Sequence, residues 1–156
     1  MYKGQFQQLV AGGMADAIMT AHLVNRNVDP DWPVTLSEKF IGPQLRTRDG
    51  FDGVVVTDDL QMGAIQQHHS LRASVVRAIV AGNDVLVFSN NPGAAKNAPG
   101  FVPRYDMGQH AATLVREAIA RGELTTEQVD AAWQRLARLR GKLAAAHCTC
   151  GAHPSC

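Results

Sequence analysis

Apolar and polar positions along the chain fall into alternating blocks of two kinds. DAIMTAHL at 16–23, GVVVTD at 53–58 and DVLVF at 84–88 are short, nearly continuous apolar runs. Runs of that length are too brief for a free-standing helix and read as strands buried on both faces, as in a parallel sheet. The other blocks carry apolar residues at helical spacing. A short helix is expected over 6–13, ended by glycine, and another over 71–81, ended by Gly82. A third is expected over 107–121, closed by Gly122. The last starts at Thr125, where Thr125 and Gln128 have capping-box spacing. Within it Val129, Trp133, Leu136 and Leu139 recur at helical intervals.

One helix is compromised by its own sequence. Ser37 is placed to cap a helix over 38–46, but Gly42 and Pro43 fall inside it. Proline removes a backbone donor and crowds the carbonyl four residues back, so a kink or an early stop is expected. Residues 25–35 and 89–103 are rich in Asn, Asp, Gly and Pro and read as loops. Three strand-then-helix units in succession mean an α/β fold with a parallel sheet or barrel. In such folds chemistry gathers at the C-terminal ends of the strands. Three polar clusters follow the strands there: Thr20-Ala21-His22, Thr57-Asp58-Asp59 and Ser89-Asn90-Asn91.

Composition narrows the function classes. The chain has 156 residues, 46% apolar and 19% charged, an ordinary globular balance for one domain. With 15 basic and 14 acidic residues the net charge is +1, which offers no electrostatic argument for nucleic acid or an anionic membrane. Arg135, Arg138, Arg140 and Lys142 concentrate along one helix and read as a solvated face. No apolar run approaches the roughly 20 residues that span a bilayer. The opening MYKGQFQQLV lacks a signal-peptide core, so the expected location is cytoplasmic. Cys148, Cys150 and Cys156 all lie near the C-terminus, so no disulfide framework holds the body. The segment 144–156 reads as a disordered tail. Its His147, Cys148, Cys150, His153 and Cys156 have zinc-ligand chemistry, but Cys-x-Cys is not finger spacing.

The individual residues each admit two readings. Asp58 is either a reactive carboxylate or a cap at a strand-to-helix turn, and spacing alone leaves that open. Asp59 reads as a cap or hydrogen-bonding neighbour, because adjacent strand side chains diverge and cannot both face one substrate. His22 ends a strand and is expected to line the substrate pocket. Met62 is by default a packing residue, with a pocket-wall role beside it. Asn90 and Asn91 read as turn residues, and His68 and His69 as solvent-exposed. A phosphoryl-accepting receiver also places an aspartate at a strand end. It needs an acidic pair after its first strand and a lysine after its last, and the chain supplies neither in place.

DAIMTAHL, DPDWPVTLS, GFDGVVVTDDLQMGAI and AGNDVLVFSNNP resemble, in order and spacing, glycoside hydrolase family 3, most closely its bacterial β-N-acetylhexosaminidases. RGELTTEQVDAAWQRLARLRGKL resembles the closing helices of that catalytic domain. The resemblance runs over about residues 5–143 and implies a (β/α)₈ barrel, which needs about 250 residues. Residues 1–143 are then its C-terminal part, three parallel strands with flanking helices, and the earlier strands fall outside it. The resemblance makes Asp58 the catalytic nucleophile of a retaining glycosidase that removes terminal β-linked N-acetylglucosamine without a cofactor or metal. It places the His-Asp acid/base pair and the Lys-His and Arg sugar-gripping residues upstream of this chain. The expected partner is an amino-sugar glycoside. The alternative is an inactive remnant serving as an interaction piece, self-associating through open sheet edges.

Overall fold

The computed structural model describes residues 3–95 and 101–150. Its elements are α1 (Lys3–Ala11), β1 (Ala17–Met19), a 3₁₀ turn (Val34–Leu36), a π-helix (Phe40–Arg48), β2 (Val54–Asp59), α2 (Gly63–Gln66), α3 (Leu71–Ala81), β3 (Val85–Val87), α4 (Met107–Ala120) and α5 (Thr126–Cys150). The three strands form one sheet in the order β1-β2-β3, with both pairs parallel. Helical segments make each crossover, as parallel pairing requires. The architecture is three parallel strands with flanking helices, part of a (β/α)₈ barrel.

β2 is the central strand and its apolar residues are the sheet's core. Val54 and Val55 are buried, as the continuous valines imply. One apolar cluster joins Val55 to Ile41, Leu45, Phe51 and Ala81; another joins Leu36, Leu60, Ile65 and Ala78, with Leu86 and Phe88 packed against it. Two glycines are required by geometry. A Cβ on Gly53 would sit 2.5 Å from the Asp16 carbonyl oxygen, and Gly82 closes α3 at φ +103°.

The compromised helix does not stop early. It runs through Arg48 as a π-helix, with the Asp49 N–H donating to the Gln44 carbonyl five residues back. The wider π turn moves carbonyls away from the proline ring and offers a turn in which its missing donor costs little. Ser37 still caps the entry, its Oγ accepting the Phe40 N–H. At α5 the capping box forms in both directions, between Thr125 and Gln128.

Two further expectations gain detail. The face of α5 read as solvated is exposed at Arg138, Arg140 and Lys142, and it also carries ion pairs. Arg135 reaches Asp84, Arg138 reaches Asp52 and Lys142 reaches Asp16, all acids at or near strand starts. The Asp84 side chain is fully buried and also takes Arg46 at 2.8 Å and the Val55 N–H at 2.8 Å. The tail expected to be irregular from 144 continues α5 as far as Cys150, because Ala144–146 are strong helix formers that extend the preceding turns. Residues 151–156 and the side chains of 146–150 lie outside the described residues, and with them the metal-ligand reading of the tail.

Candidate functional site

The three polar clusters meet at the C-terminal ends of the strands. Asp58 and Asp59 are consecutive in β2, so their side chains leave on opposite faces. Asp59 is buried and fully used. Its Oδ1 accepts the Gln61 N–H at 2.9 Å and the Ser89 N–H at 3.1 Å; its Oδ2 accepts the Ser89 hydroxyl at 2.5 Å. It fastens the end of β3 to the turn after β2. Asp58 is half-buried and accepts one hydrogen bond through Oδ1, from the Asp59 N–H at 2.8 Å. Among the described residues it is the carboxylate at this sheet end with an oxygen left over for something else.

The sheet itself accommodates this turn. The β2–β3 register is irregular between Val56 and Asp59, where the Thr57 hydroxyl replaces a backbone acceptor and takes the Val87 N–H at 2.9 Å. Gln61 then bridges onward, its Oε1 accepting the Asn90 N–H at 2.7 Å. Asn90 adopts φ +54° and exchanges two hydrogen bonds with the Arg104 backbone. The Asn91 carboxamide oxygen accepts the Gly93 N–H. Both asparagines are therefore turn residues, as expected.

His22 is half-buried and held at both ring nitrogens. Nε2 lies 2.8 Å from the Asp59 carbonyl oxygen and Nδ1 lies 3.0 Å from the Thr35 hydroxyl. Met62 is half-buried and caps α2, and its N–H donates to the same Asp59 carbonyl at 3.0 Å. The sequence reading of His68 and His69 as exposed holds for His68. His69 stacks on Trp32 at 5.0 Å, and the Arg77 guanidinium lies 4.7 Å from the same ring. Burial and the neighbouring His68 hold the His69 pKa below the usual imidazole value.

Sequence reasoning placed Ser89 in a strand-end cluster without its bond to Asp59, and it missed Gln61 and Thr35 as supports of the site. Ser89 meets Asp59 from 30 residues away, Gln61 meets Asn90 from 29 and Thr35 meets His22 from 13, while Gln61 on Asp59 depends on a turn, so no local periodicity marks them. Asp29, in the loop before the 3₁₀ turn, was missed too. It is buried and accepts the Ser37 hydroxyl at 2.8 Å. Burial pushes its carboxyl up, but the Ser37 hydroxyl, nearby amides and Lys39 outweigh that and hold it below the usual carboxylate range.

Among the described residues no cluster of three His, Cys, Asp or Glu side chains is arranged to hold a metal, and no helix is long and apolar enough to cross a membrane. One cavity of about 330 Å³ opens along β1 beside Phe6, Met19 and Leu23. Another of about 360 Å³ lies at the opposite end of the sheet beside Asp16, Gly53 and Arg138. Asp58 lines neither of these two cavities.

Parallel strands with helical crossovers, and polar residues collected at the strands' C-terminal ends, are the arrangement of an α/β-barrel enzyme. Comparison with known proteins narrows this. Residues 2–139 match the family model described as Glycosyl hydrolase family 3 N terminal domain. A β-hexosaminidase of Mannheimia succiniciproducens is 38% identical over 87 residues, 56% of this chain and 25% of that protein. A β-hexosaminidase of Vibrio cholerae is 30% identical over 142 residues, 84% of this chain and 41% of that protein. The structure of a glycoside hydrolase family 3 β-N-acetylglucosaminidase from Paenibacillus superposes with a TM-score of 0.74 at 34% identity, covering 89% of this chain and 24% of that one. The chain belongs to glycosyl hydrolase family 3, and it spans less than half the length of these relatives.

Proposed function

We propose that the chain contributes the nucleophile to hydrolysis of terminal β-linked N-acetylglucosamine residues, with retention of configuration. The observation that carries this is the division of labour between adjacent carboxylates. Asp59 is buried and saturated, while Asp58 is half-buried at the end of the central strand with one oxygen uncommitted. The names of the β-hexosaminidase and β-N-acetylglucosaminidase relatives support the substrate class.

In this reading an Asp58 carboxylate oxygen attacks the anomeric carbon as the glycosidic C–O bond breaks, giving a glycosyl ester and a departing alcohol that takes up a proton. Water then attacks the same carbon, loses a proton and releases the carboxylate. A strand end suits the role because it holds the attacking oxygen more firmly than a loop does. No side chain of this chain is assigned as the acid/base. General acid help is worth about 10²–10⁴-fold, so this chain by itself hydrolyses poorly.

The test is covalent trapping with a fluorinated N-acetylglucosaminyl fluoride, whose leaving group departs without strong acid help. The chain is assayed alone and with an upstream barrel segment of a family relative supplied. Peptide mass spectrometry should place the sugar on Asp58 and find none in Asp58→Asn. Labelling of another carboxylate, or equal labelling of the variant, overturns the assignment.

A second reading is an interaction piece. Phe6, Met19 and Leu23 are exposed beside the open edge of β1, a surface that invites pairing. It expects concentration-dependent association in sedimentation, and a compact monomer at every concentration contradicts it.

A further inference from the structure

We infer that His22 is a positioning residue that acts through the Asp59 peptide and makes no contact with the sugar, an inference that rests on the reading of Asp58 as nucleophile. A carbonyl oxygen only accepts, so His22 Nε2, 2.8 Å from the Asp59 carbonyl, carries the proton. In the neutral ring Nδ1 is then bare and accepts from the Thr35 hydroxyl at 3.0 Å. Both nitrogens are spent, and the ring has no polar atom left for a substrate hydroxyl.

The brace is built from below. Thr35 is fully buried, and its carbonyl accepts the Asn83 side-chain amide at 2.8 Å. Asn83 is itself buried, donates to the Ala78 carbonyl at 2.8 Å and lies 3.3 Å from the Thr20 hydroxyl. A satisfied polar chain of this kind rigidifies what it holds. It joins β1, the 3₁₀ turn and the end of α3 to the carbonyl of Asp59, and the N–H of that same residue, on the preceding peptide group, donates to Asp58 Oδ1 at 2.8 Å. His22 thus fixes the carbonyl of Asp59 while Asp58 is fixed by the N–H of the same residue. A bound sugar would meet a carboxylate held by the N–H of a residue whose following peptide group is anchored through its carbonyl.

The test uses the intact chain. Long-range nitrogen–proton NMR should show the His22 ring protonated at Nε2 and bare at Nδ1. In His22→Ala the Asp59 amide should exchange at least ~10-fold faster while the Val55 and Ile79 amides stay within ~2-fold, since local opening is separable from global unfolding. His22→Gln, whose terminal amide can donate to the same carbonyl, should recover most of that protection. The rate of Asp58 labelling by the activated fluoride donor should fall ~10–100-fold in His22→Ala at unchanged half-saturation, the scale expected of a misplaced reacting group. A ring protonated at Nδ1, or equal acceleration of all amides, overturns the brace. A raised half-saturation at unchanged rate would mean that His22 grips the sugar and would overturn the inference. If Asp58 in the unaltered chain takes no label while the selective amide effect persists, the nucleophile reading fails and the brace stands as structure only.

Discussion

The Ser89 hydroxyl donates to the Asp59 carboxylate across 2.5 Å, and the Ser89 N–H donates to the other oxygen of the same group at 3.1 Å. Two segments 30 residues apart in sequence are joined by this one buried acid. Asp59→Ala leaves the Ser89 and Gln61 donors unpaired in a buried setting. It should destabilise the chain by about 2–4 kcal/mol, against about 1–2 kcal/mol for Ser89→Ala, in urea unfolding. Equal and small effects would show that the link is dispensable.

Asp84 gathers two guanidiniums and a backbone amide at the opposite end of the sheet. Asp84→Ala strands Arg46 and Arg135 beside a void, and a loss of about 3–5 kcal/mol is expected. Replacing Arg138, whose partner Asp52 is exposed, should cost under about 1 kcal/mol. Thermal melts of the two variants give the comparison directly.

Gly53→Ala puts a Cβ against the Asp16 carbonyl oxygen at the point where β1 begins to pair with β2. Backbone rather than a flexible side chain has to yield, so about 1–3 kcal/mol is lost. Gly42→Ala meets nothing within 4 Å and serves as the control.

Stability should fall in two acid steps. His69 has a lowered folded pKa, so its contribution is complete above the ordinary imidazole value of 6.5 and is lost as pH falls from there through the folded value. Asp29 also has a lowered folded pKa. Its contribution is complete above 3.8 and is lost as pH falls through the folded value below that. His69→Phe should remove the first step and keep the Trp32 stack. Asp29→Asn should flatten the second. A pH series of denaturant midpoints reads both.

Much of the frame was legible before any coordinates. Continuous valines marked β2, Gly82 and Gly122 marked helix ends, and the spacing of Thr125 and Gln128 marked the start of α5. All of these are local signals, set by backbone sterics and by donors that pair within a few residues. The Pro43 segment runs past the early stop allowed for it because two rules competed there. Propensity says that proline breaks an α-helix, and packing of Ile41 and Leu45 in the core kept the segment wound as a π-helix instead. The ion pairs of the α5 cations were not legible because a charged stripe looks the same whether or not acids on another element lie beside it.

By itself, the sequence determined the three apolar strands, the helices between them, the family resemblance and the placement of Asp58 at a strand end. Strand alternation also determined that Asp58 and Asp59 point apart. Only the tertiary structure decided which of the two is occupied, because Asp59 is saturated by Ser89 and Gln61 from across the sheet end. It also decided that His22 spends both nitrogens on protein groups. Local periodicity reports which face a side chain leaves from. Whether that side chain is then bound or available depends on residues brought beside it by parallel crossovers, and no short-range pattern encodes those meetings.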